Sequence, residues 1–450
     1  MTADKPNVVL INADDLGYGD LGCYGSRVNQ TPFIDRLAQG GAVFTSCYAA
    51  SPLCSPSRAG LMTGCYPSRV SIDRVLFPAD PLGLHPAEFT MPRLFKNAGY
   101  ATMLVGKWHL GDQPEFLPRA FGFDEYYGLP YSNDMGRSEG RDDPEMFHPL
   151  PLLEGETVVE QQPDQRSLTE RYAERCTSFI RKNKDRPFFL YFAQMHVHLP
   201  HYAAEMFERS SKNGDYGACV ASMDWACGAV VHELETLGLL DRTIIIFTSD
   251  NGARGDRGSS NYPLRGGKRT TWEGGQRIPF ILYWQGKTAP GTRSDAFISQ
   301  MDLLPTFAAM LGEPLGPLPI DGLDLSAALF GGAPSPRESF AFFRAEAKLE
   351  AVRLRNWKMH FSKEGKAVRL LYDLSKDISE ENNVVDEYPD IAAEITRAAD
   401  GYRLKLGDRL TGEAGSERRP CGISENPVPL AEYDPNHPYI IALYDKNNVG

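Results

Sequence analysis

The sequence lacks a long apolar segment and an excess of positive charge. No stretch approaches the roughly 20 consecutive apolar residues that a membrane-spanning helix needs, and the N-terminus has no basic region followed by an apolar core, as a signal peptide would. Lysine and arginine number 47 against 59 acidic residues, a formal net charge of −12. This balance argues against nucleic acid or an anionic membrane as the main partner. We therefore expect a cytoplasmic protein, or a periplasmic or secreted one whose export signal has been removed.

Cysteine is also scarce for a chain of 450 residues. The spacing of the eight cysteines shows no CxxC pair of the kind that binds metals, and eight are too few for a disulfide scaffold of this size. Several stand in apolar contexts, which favours a reducing compartment. The eight are Cys23, Cys47, Cys54, Cys65, Cys176, Cys219, Cys227 and Cys421.

What the sequence has in abundance is apolar runs that alternate with helix-like patterns. The run "NVVLIN" (residues 7–12) is continuously apolar, as a strand buried on both faces would be. In "TPFIDRLAQGG", Thr31 is a candidate N-cap and Pro32 suits the first helical position. Such alternation predicts an α/β fold with a large, mostly parallel sheet covered by helices on both faces. The predicted strands are 7–12, 101–106, 187–194, 243–249 and 278–284, and the predicted helices are 31–41, 91–100, 167–184, 216–239 and 302–312.

The C-terminal quarter has a different pattern. The stretch "FGGAPSPRES" predicts a boundary, so we expect a catalytic domain over residues 1–335 and a smaller unit over 336–450. The segments "SFAFFRA", "LEAVRLRNWKMHFS" and "AVRLLYDL" predict antiparallel strands, and "DIAAEITRAADGYRLKL" predicts a helix. We interpret this unit as a small α+β domain, followed from about Gly412 by a tail that packs on the main body.

Polar residues follow four of the predicted strands. Ligands bind beyond the carboxyl ends of strands in an open parallel sheet. Polar loops explain any one of these groups, but not why acids, a lysine and imidazoles converge on one edge. The residues are Asp14, Asp15, Lys107, His109, His196, His198, Asp250 and Asn251.

Four of these side chains offer only oxygen ligands: Asp14, Asp15, Asp250 and Asn251. Oxygen ligands suit a hard cation such as Ca²⁺ or Mg²⁺ and do not suit zinc. An isolated Asp-Asp pair is more often a turn or a helix cap. Two acidic pairs at separate strand ends favour a metal site.

The stretch "CSPSR" places Cys54 just before a predicted helix, with Pro56 near its start. The free amides and the dipole of a helix N-terminus favour an anion, so we expect a reactive thiol with a depressed pKa. Arg58, one turn further on, should point to the same place. The alternative is a small buried apolar residue. The spacing from Cys54 to Arg58 is too short for the phosphate loop of cysteine phosphatases.

Residues 54–64 match the signature C-x-P-S-R-x-x-x-x-T-G completely. The motifs "GKWHLG", "HVHLP", "SDNG", "GGKRTTWEGG" and "LYDL" also occur in order. In these motifs the chain resembles the type I, formylglycine-dependent sulfatases of the alkaline phosphatase superfamily, and it is most similar to the group of arylsulfatase A and N-acetylgalactosamine-6-sulfatase. The resemblance extends from Asn7 to about Asn383. It implies an alkaline phosphatase-like fold, with a large mixed, mostly parallel sheet between helices and a smaller C-terminal domain.

The resemblance also implies a chemical role for Cys54. In the family, a maturation enzyme recognises this stretch while it is unfolded and oxidises the cysteine to Cα-formylglycine. The aldehyde is hydrated, one hydroxyl attacks sulfur and the other later expels sulfate. Ca²⁺, or alternatively Mg²⁺, would be held by Asp14, Asp15, Asp250, Asn251 and residue 54.

The remaining roles also follow from the resemblance. Arg58 would bind the metal-adjacent acids and the hydrated aldehyde, and Lys107 and Lys268 would bind sulfate oxygens. His198, alone or together with Lys268, would protonate the leaving oxygen, and His109 would accept a proton when the hydrated aldehyde collapses. Either histidine could instead be structural, held by the backbone.

The implied function is a sulfuric ester hydrolase. The implied substrate is a small-molecule or oligosaccharide sulfate monoester of galactose or N-acetylgalactosamine type, with aryl sulfates as surrogates. A phosphonate monoester hydrolase or phosphodiesterase with the same nucleophile is one alternative. A non-catalytic binder of sulfated glycans is another, and the sequence leaves the oligomeric state open.

Substrate specificity is expected in three segments that the motifs do not cover, residues 71–86, 129–149 and 253–265. Polar side chains there, and one just after the second histidine motif, could hydrogen-bond a sugar or could be solvated loop residues. The candidates are His85, Asn133, Asp134, His201, Arg254 and Arg257.

Overall fold

The computed structural model describes residues 5–137 and 147–432. Seventeen strands lie within these ranges. In chain order they are β1 (Asn7–Ala13), β2 (Ala42–Tyr48), β3 (Leu82–Gly83), β4 (Ala101–Gly106), β5 (Glu125–Gly128), β6 (Pro151–Glu154), β7 (Thr157–Gln161), β8 (Phe188–Ala193), β9 (Thr243–Ser249), β10 (Arg277–Tyr283), β11 (Thr292–Ser294), β12 (Ile298–Ser299), β13 (Ser339–Arg344), β14 (Lys348–Leu354), β15 (Trp357–Lys363), β16 (Lys366–Asp373) and β17 (Gly422–Ile423).

Helices cover both faces of the larger sheet. The α-helices of the described residues are α1 (Pro32–Gly40), α2 (Cys54–Thr63), α3 (Met91–Asn97), α4 (Leu168–Lys182), α5 (Glu205–Ser210), α6 (Gly214–Thr236), α7 (Glu273–Gln276), α8 (Leu303–Leu311), α9 (Ser326–Gly331) and α10 (Pro389–Leu406). No helix among the described residues is long and apolar enough to cross a membrane.

The larger sheet has eleven strands in the order β11-β2-β10-β9-β1-β8-β4-β5-β6-β7, with β12 beside β2. Strand β1 pairs in parallel with β8 and β9, and β4 pairs in parallel with β8 and β5. Antiparallel pairing is confined to β10, β6 and β7 with their neighbours. The prediction of a large mixed, mostly parallel sheet is confirmed.

Strand β1 shows why the central strands are continuously apolar. All seven of its residues are buried, because successive side chains point to opposite faces and both faces are covered. Val9 and Ile11 pack in one core with α1, α4 and α6. Val8 and Leu10 pack in the other with α2, α3, α8 and α9.

Strand β10 runs antiparallel to both β9 and β2. Its beginning therefore lies at the same edge of the sheet as the ends of β9 and β2. The segment before β10, which contains Lys268, enters at this edge. So does the segment after β2, which contains Cys54.

The N-terminus of α1 is capped differently from our prediction. The Thr31 side chain does not cap the helix; its hydroxyl accepts a hydrogen bond from the Gly22 amide at 2.9 Å instead. The carboxylate of Asp224, on α6, accepts hydrogen bonds from the amides of Phe33 (3.2 Å) and Ile34 (2.8 Å). A cap that comes from a residue about 190 positions away cannot be read from local sequence.

The C-terminal region forms a four-stranded antiparallel sheet, β13-β14-β15-β16, with α10 packed against it. This confirms the predicted strands and helix of the smaller unit. The sheet joins the main body through a core in which Tyr48 and Tyr66 contact Phe340. The two units share this buried core, and the division at residue 335 stays a prediction.

The tail packs on the main body as far as the structure describes it. Strand β17 pairs with β3, and Arg419 forms an ion pair with Glu88 at 2.7 Å. The rest of the tail, residues 433–450, lies outside the described residues.

Candidate active site

Six segments bring polar side chains to one edge of the larger sheet. Strands β1, β4, β8 and β9 are neighbours that run in one direction, so their carboxyl ends meet there. The segment after β2 and the segment before β10 join them. The residues that follow or precede these strands are Asp14, Asp15, Cys54, Arg58, Lys107, His109, His198, Asp250, Asn251 and Lys268.

Three acids and Cys54 form a tight buried group at this edge. Asp14, Asp15, Asp250 and Cys54 each offer one ligand atom, and these four atoms all lie within 4.8 Å of one another. The side-chain amide nitrogen of Asn251 donates to Oδ1 of Asp15 at 2.8 Å. Its carbonyl oxygen, Oδ1, is buried without a hydrogen-bond partner.

This arrangement fits a hard cation. A buried carbonyl oxygen without a partner is costly, and a cation would satisfy it together with the three carboxylates. The donors are oxygens apart from residue 54, which matches the preference of Ca²⁺ and Mg²⁺. The arrangement alone does not distinguish between these two ions.

Cys54 is the first residue of α2, a ten-residue helix in which every residue is buried. Its Sγ lies 3.4 Å from Oδ1 of Asp14 and 3.8 Å from Oδ1 of Asp15. Burial raises the pKa of the Cys54 thiol well above its ordinary value, and Lys107 and Lys268 do not offset this. The expectation of a depressed thiol pKa is therefore wrong. The helix N-terminus favours an anion, but burial and the nearby acids disfavour a thiolate.

Arg58 and Lys107 tie the acids together. Nε of Arg58 donates to Oδ2 of Asp250 at 3.0 Å, and its Nη1 donates to the carbonyl oxygen of Lys107 at 2.8 Å. Nη2 of Arg58 lies 3.7 Å from Oδ1 of Asp14. Nζ of Lys107 donates to Oδ2 of Asp14 at 2.6 Å. Both cations are buried and directed at the acids; the binding of sulfate oxygens by Lys107 stays a prediction.

Lys268 binds a different acid from the one that Lys107 binds. Its Nζ donates to Oδ2 of Asp15 at 2.6 Å. Burial opposes the charge of Lys268, but Asp15, Cys54 and Asp14 outweigh it and raise the pKa of the ammonium group. Lys268 is therefore a fixed positive charge at neutral pH.

The three carboxyl groups respond differently to this environment. Burial, the largest single cause, would raise the pKa of Asp14 and of Asp15, but the surrounding positive charges together lower both pKa values; the largest of these is Lys107 for Asp14 and Lys268 for Asp15. Burial and the charge of Asp14 raise the pKa of Asp250 to about 7, although Arg58 opposes the shift. Three acids so close together repel one another, and among the three this repulsion is seen as the raised pKa of Asp250.

His198 and Ser132 form the wall beside Lys107. Nε2 of His198 lies 3.7 Å from Oδ2 of Asp15. The hydroxyl of Ser132 accepts a hydrogen bond from Nζ of Lys107 at 3.2 Å and lies 3.4 Å from Nδ1 of His198. Burial and the charge of Lys268 lower the pKa of His198.

Our sequence analysis missed Ser132. The signal that could have found it is its position after β5, a short strand whose end lies beside β4 at the same edge.

His109 is held by the backbone at one nitrogen only. Its Nε2 donates to the carbonyl oxygen of Leu76 at 3.0 Å, and its Nδ1 is buried without a hydrogen-bond partner. The amide of Leu76 donates to the hydroxyl of Ser55, next to Cys54, at 3.1 Å. Burial and the charge of Lys107 lower the pKa of His109 well below its ordinary value, so the imidazole is neutral with a free lone pair on Nδ1.

Three residues at this edge have a left-handed backbone conformation although they are not glycine. Asp15, His109 and Arg269 adopt φ values of 62°, 69° and 72°. Residues other than glycine occupy this left-handed region at a cost of about 1–3 kcal/mol each, and such strain is typical of functional sites.

Three of the six candidate substrate-binding residues lie at the mouth of the site. His201, Arg254 and Arg257 line a pocket that Asp15 and Tyr216 also line. The ring of His201 contacts the ring of Tyr216 edge-on, with centroids 5.4 Å apart. Arg254 is exposed and paired with Asp256 at 3.1 Å.

The other three candidates do not join this pocket in the described residues. Nδ2 of Asn133 donates to Gln165 (2.9 Å) and to the carbonyl oxygen of Pro200 (3.3 Å), which makes it a buried bridge between loops. Asp134 lies in the same short 3-10 helix as Asn133. Nδ1 of His85 accepts a hydrogen bond from the Ala87 amide in its own turn. Residues 138–146 of the second specificity segment lie outside the described residues.

A family profile, sequence relatives and solved structures all identify the same family. The profile of the family described as Sulfatase matches residues 6–313. Human arylsulfatase A is 39% identical over 446 residues, which covers 89% of this chain and 88% of that protein. N-acetylgalactosamine-6-sulfatase of the dog, Canis lupus familiaris, is 38% identical over 376 residues, which covers 79% of this chain and 72% of that protein.

A solved structure agrees with the sequence comparisons. The crystal structure of Ps i-CgsB in complex with k-i-k-neocarrahexaose matches with a TM-score of 0.81 and 30% sequence identity. The match covers 92% of this chain and 96% of that one. The resemblance noted from the motifs is thus confirmed.

Proposed function

Because the chain belongs to the sulfatase family, and is therefore a hydrolase of sulfate esters, we propose that it cleaves a sulfate monoester of a sugar through a formylglycine formed from Cys54. The observation that carries the proposal is the position of Cys54. It opens a buried helix 3.4 Å from Asp14, with Arg58, Lys107 and Lys268 bound to the surrounding acids. A sulfate group at residue 54 would meet three positive charges.

The unmodified thiol is a poor nucleophile here. Its raised pKa keeps it protonated, and the thiolate is the reactive form. The hydrated aldehyde would supply two hydroxyls on one carbon, one to attack sulfur and one to release sulfate. Oxidation by a maturation enzyme is part of this proposal.

Asp14, Asp15, Asp250 and Asn251 would hold a divalent cation, Ca²⁺ or Mg²⁺. Such a cation supplies positive charge that makes a nearby hydroxyl more acidic and neutralises the sulfate. The acids would also keep Arg58, Lys107 and Lys268 in place before substrate arrives. Charges that are fixed in advance stabilise a transition state without reorganisation.

Lys107 and Lys268 would each bind sulfate oxygens. Each ammonium group has three donors, and a single acid oxygen is the short contact of each at 2.6 Å. The remaining donors can therefore reach a bound anion. Ser132 would help to hold the Lys107 ammonium group through its hydroxyl.

His198 would give the proton to the leaving oxygen of the sugar. The negative charge of the bound sulfate favours the protonated imidazole, which the charge of Lys268 otherwise opposes. His109 would take a proton at Nδ1, the nitrogen that its hydrogen bond to Leu76 leaves free. Donor and acceptor are then separate residues with separate environments.

A sugar sulfate is proposed because the mouth of the site is polar. His201, Arg254 and Arg257 line the pocket next to Asp15 and can hydrogen-bond hydroxyl groups. The names of similar proteins support this class, since one is an N-acetylgalactosamine-6-sulfatase and another was crystallised with a neocarrahexaose.

The test joins a mass measurement with a turnover measurement. The protein is produced together with a formylglycine-generating enzyme, and the tryptic fragment 37–58 is analysed under reducing conditions. We expect an aldehyde at residue 54 and turnover of an aryl sulfate and of galactose-type sugar sulfates. Cys54→Ala should lower kcat/KM by about 10⁴-fold or more while leaving the fold intact.

Other outcomes decide between the alternatives. A thiol at residue 54 despite the maturation enzyme would contradict the formylglycine. Faster turnover of an aryl phosphonate than of the matched aryl sulfate would favour phosphonate hydrolysis. Tight binding of a sulfated sugar without turnover would favour a non-catalytic binder.

A further inference from the structure

Lys268 lies in a glycine-rich segment between β9 and β10, residues 265–275, called here the Lys268 loop. Four of its eleven residues are glycine. Glycine adds backbone freedom, so the sequence of the loop does not by itself fix where Lys268 points. Hydrogen bonds within the loop, such as that from the Gly274 amide to the carbonyl oxygen of Arg265 at 2.8 Å, close it on itself, and contacts from outside the loop fix its position relative to the acids.

One side of the loop is bound to the edge of the larger sheet that holds Asp14, Asp15 and Cys54, called here the catalytic edge. The amide of Lys268 donates to the carbonyl oxygen of Ala253 at 2.9 Å, and the amide of Arg269 donates to the carbonyl oxygen of Pro52 at 2.9 Å. Pro52 is two residues from Cys54. These bonds hold the middle of the loop, near Lys268 itself.

The other side of the loop is bound to the C-terminal sheet region. Oε2 of Glu380 accepts a hydrogen bond from the amide of Glu273 at 2.6 Å, and the carbonyl oxygen of Glu380 accepts one from Nη1 of Arg265 at 2.8 Å. The hydroxyl of Thr271 donates to Oε2 of Glu350 at 2.7 Å. Glu380 thus binds both ends of the loop, Glu273 through its side chain and Arg265 through its main-chain carbonyl oxygen.

Glu380 is itself held firmly. It is fully buried, and its Oε1 accepts from Nε2 of His360 at 2.6 Å and lies 3.1 Å from Nζ of Lys358. Its backbone has φ of 53°, a strained value for a residue other than glycine, which surrounding contacts must maintain. A group held in this way can position another group.

We propose that Glu380 is a positioning residue for sulfate ester hydrolysis: by fixing both ends of the Lys268 loop, it holds Nζ of Lys268 against Asp15. The assignment rests on the function proposed above. Glu380 touches neither the acids nor residue 54 in the described structure; it acts through Lys268. The C-terminal region therefore forms part of the catalytic unit.

The size of the effect follows from how sharply catalysis depends on placement. A shift of about 1 Å in a charged group can cost roughly 10²-fold in rate. Glu380→Ala removes the acceptor for Glu273 and should lower kcat/KM by about 10²-fold. Glu380→Gln keeps an oxygen acceptor and should recover about 10-fold or more of that loss.

A double-mutant cycle separates positioning from general destabilisation. If Glu380 acts through Lys268, its removal has nothing further to disturb once Lys268 is gone. We therefore expect Glu380→Ala combined with Lys268→Ala to be within about threefold of Lys268→Ala alone. Losses that multiply would overturn the proposal.

Asp408→Asn is the matched control. Asp408 is also a buried acid of the C-terminal region, and it accepts hydrogen bonds from the Leu349 amide (3.2 Å) and from Arg403 (3.1 Å), both within that region. It should lower the midpoint of thermal unfolding as Glu380→Ala does, but leave kcat/KM of the folded protein unchanged. An equal loss of kcat/KM in both variants would overturn the proposal.

Hydrogen exchange tests the same contact without any turnover. In Glu380→Ala, peptides that cover residues 265–276 should exchange faster than in the wild type, because the Glu273 amide has lost its acceptor. Asp408→Asn should leave them unchanged. If the wild type turns over no sulfate ester, the proposed function fails, and the exchange result still decides whether Glu380 holds the loop. Unchanged exchange in Glu380→Ala would overturn the proposal in either case.

Discussion

The catalytic edge and the joint between the two sheets both bury acids together with bases, but they arrange them differently. At the edge, three acids stand side by side within 4.8 Å and the bases lie around them. At the joint, acids and bases alternate. Nζ of Lys358 lies 2.8 Å from a carboxylate oxygen of Glu273 and 3.1 Å from one of Glu380. Nη1 of Arg277 forms a second ion pair with Glu273, at 3.2 Å.

The pKa shifts show the consequence of the two arrangements. Burial would raise the pKa of Glu273, but Lys358 and Arg277 lower it below its ordinary value. Burial and the charge of Asp14 raise the pKa of Asp250 to about 7. Alternating charges therefore satisfy one another, while adjacent acids repel one another even though each has a base beside it, and a cation among the acids can relieve that repulsion. Buried charge marks a functional site here when like charges are adjacent.

The largest expected effect concerns the joint. Lys358→Met leaves Glu273 and Glu380 buried and facing each other, so the free energy of unfolding should fall by about 3–5 kcal/mol. Urea denaturation followed by circular dichroism measures it. Lys376→Met, which removes an exposed partner of Asp373, is the control and should have little effect. A loss no greater than that of the control would show that the alternating charges do not stabilise the joint.

The catalytic edge should behave in the opposite way. Asp250→Asn should lower kcat/KM by about 10²-fold, yet leave the free energy of unfolding within about 1 kcal/mol of the wild type, because the surroundings oppose the charge that it removes. Ca²⁺ alone should raise the midpoint of thermal unfolding of the wild type by a few degrees, and that of the variant by less. A variant as unstable as Lys358→Met would contradict the distinction between the two regions.

Asp224 is a buried acid whose hydrogen bonds come from backbone amides, so it shows what burial does to a carboxyl group that has no base bound to it among the described residues. Burial raises the pKa of Asp224 to about 7. The folded protein then holds a proton that the unfolded chain releases near pH 4, so the contribution of Asp224 to stability is greatest at low pH and falls as pH rises through 7. Between pH 5 and pH 8, the wild type should lose about 2–3 kcal/mol relative to Asp224→Asn. If the difference in the free energy of unfolding between the two proteins is the same at pH 5 and pH 8, the pKa of Asp224 is not raised by burial.

Much of the catalytic edge follows from the sequence. Strands β1, β4 and β9 appear within a residue of their predicted bounds, because strands buried on both faces have to be continuously apolar. Each is followed directly by the polar residues that meet at the edge. The signature that begins at Cys54 identifies the family because its residue types and spacing are so specific. The roles assigned to these residues stay predictions.

The parts that sequence reasoning missed depend on distant contacts. Strand β2 mixes polar and apolar residues and is recognisable only through its neighbours β10 and β11. Ser132 is recognisable as a site residue only through its hydrogen bond from Lys107. Asp224 caps helix α1, which lies about 190 residues earlier in the chain. The thiol pKa of Cys54 was predicted with the wrong sign, since the helix N-terminus is a local feature and the acids beside Cys54 come from β1 and β9.

The antiparallel direction of β10 sets an order of events during synthesis of the chain. Lys268 enters the site only because β10 has turned back along β9, so the pocket around residue 54 cannot close until the ribosome has passed residue 268. At about 5–20 residues per second, translation from residue 54 to residue 268 takes roughly 10–45 s. During that interval the "CSPSR" stretch of the nascent chain is accessible to a modifying enzyme, and folding then buries it.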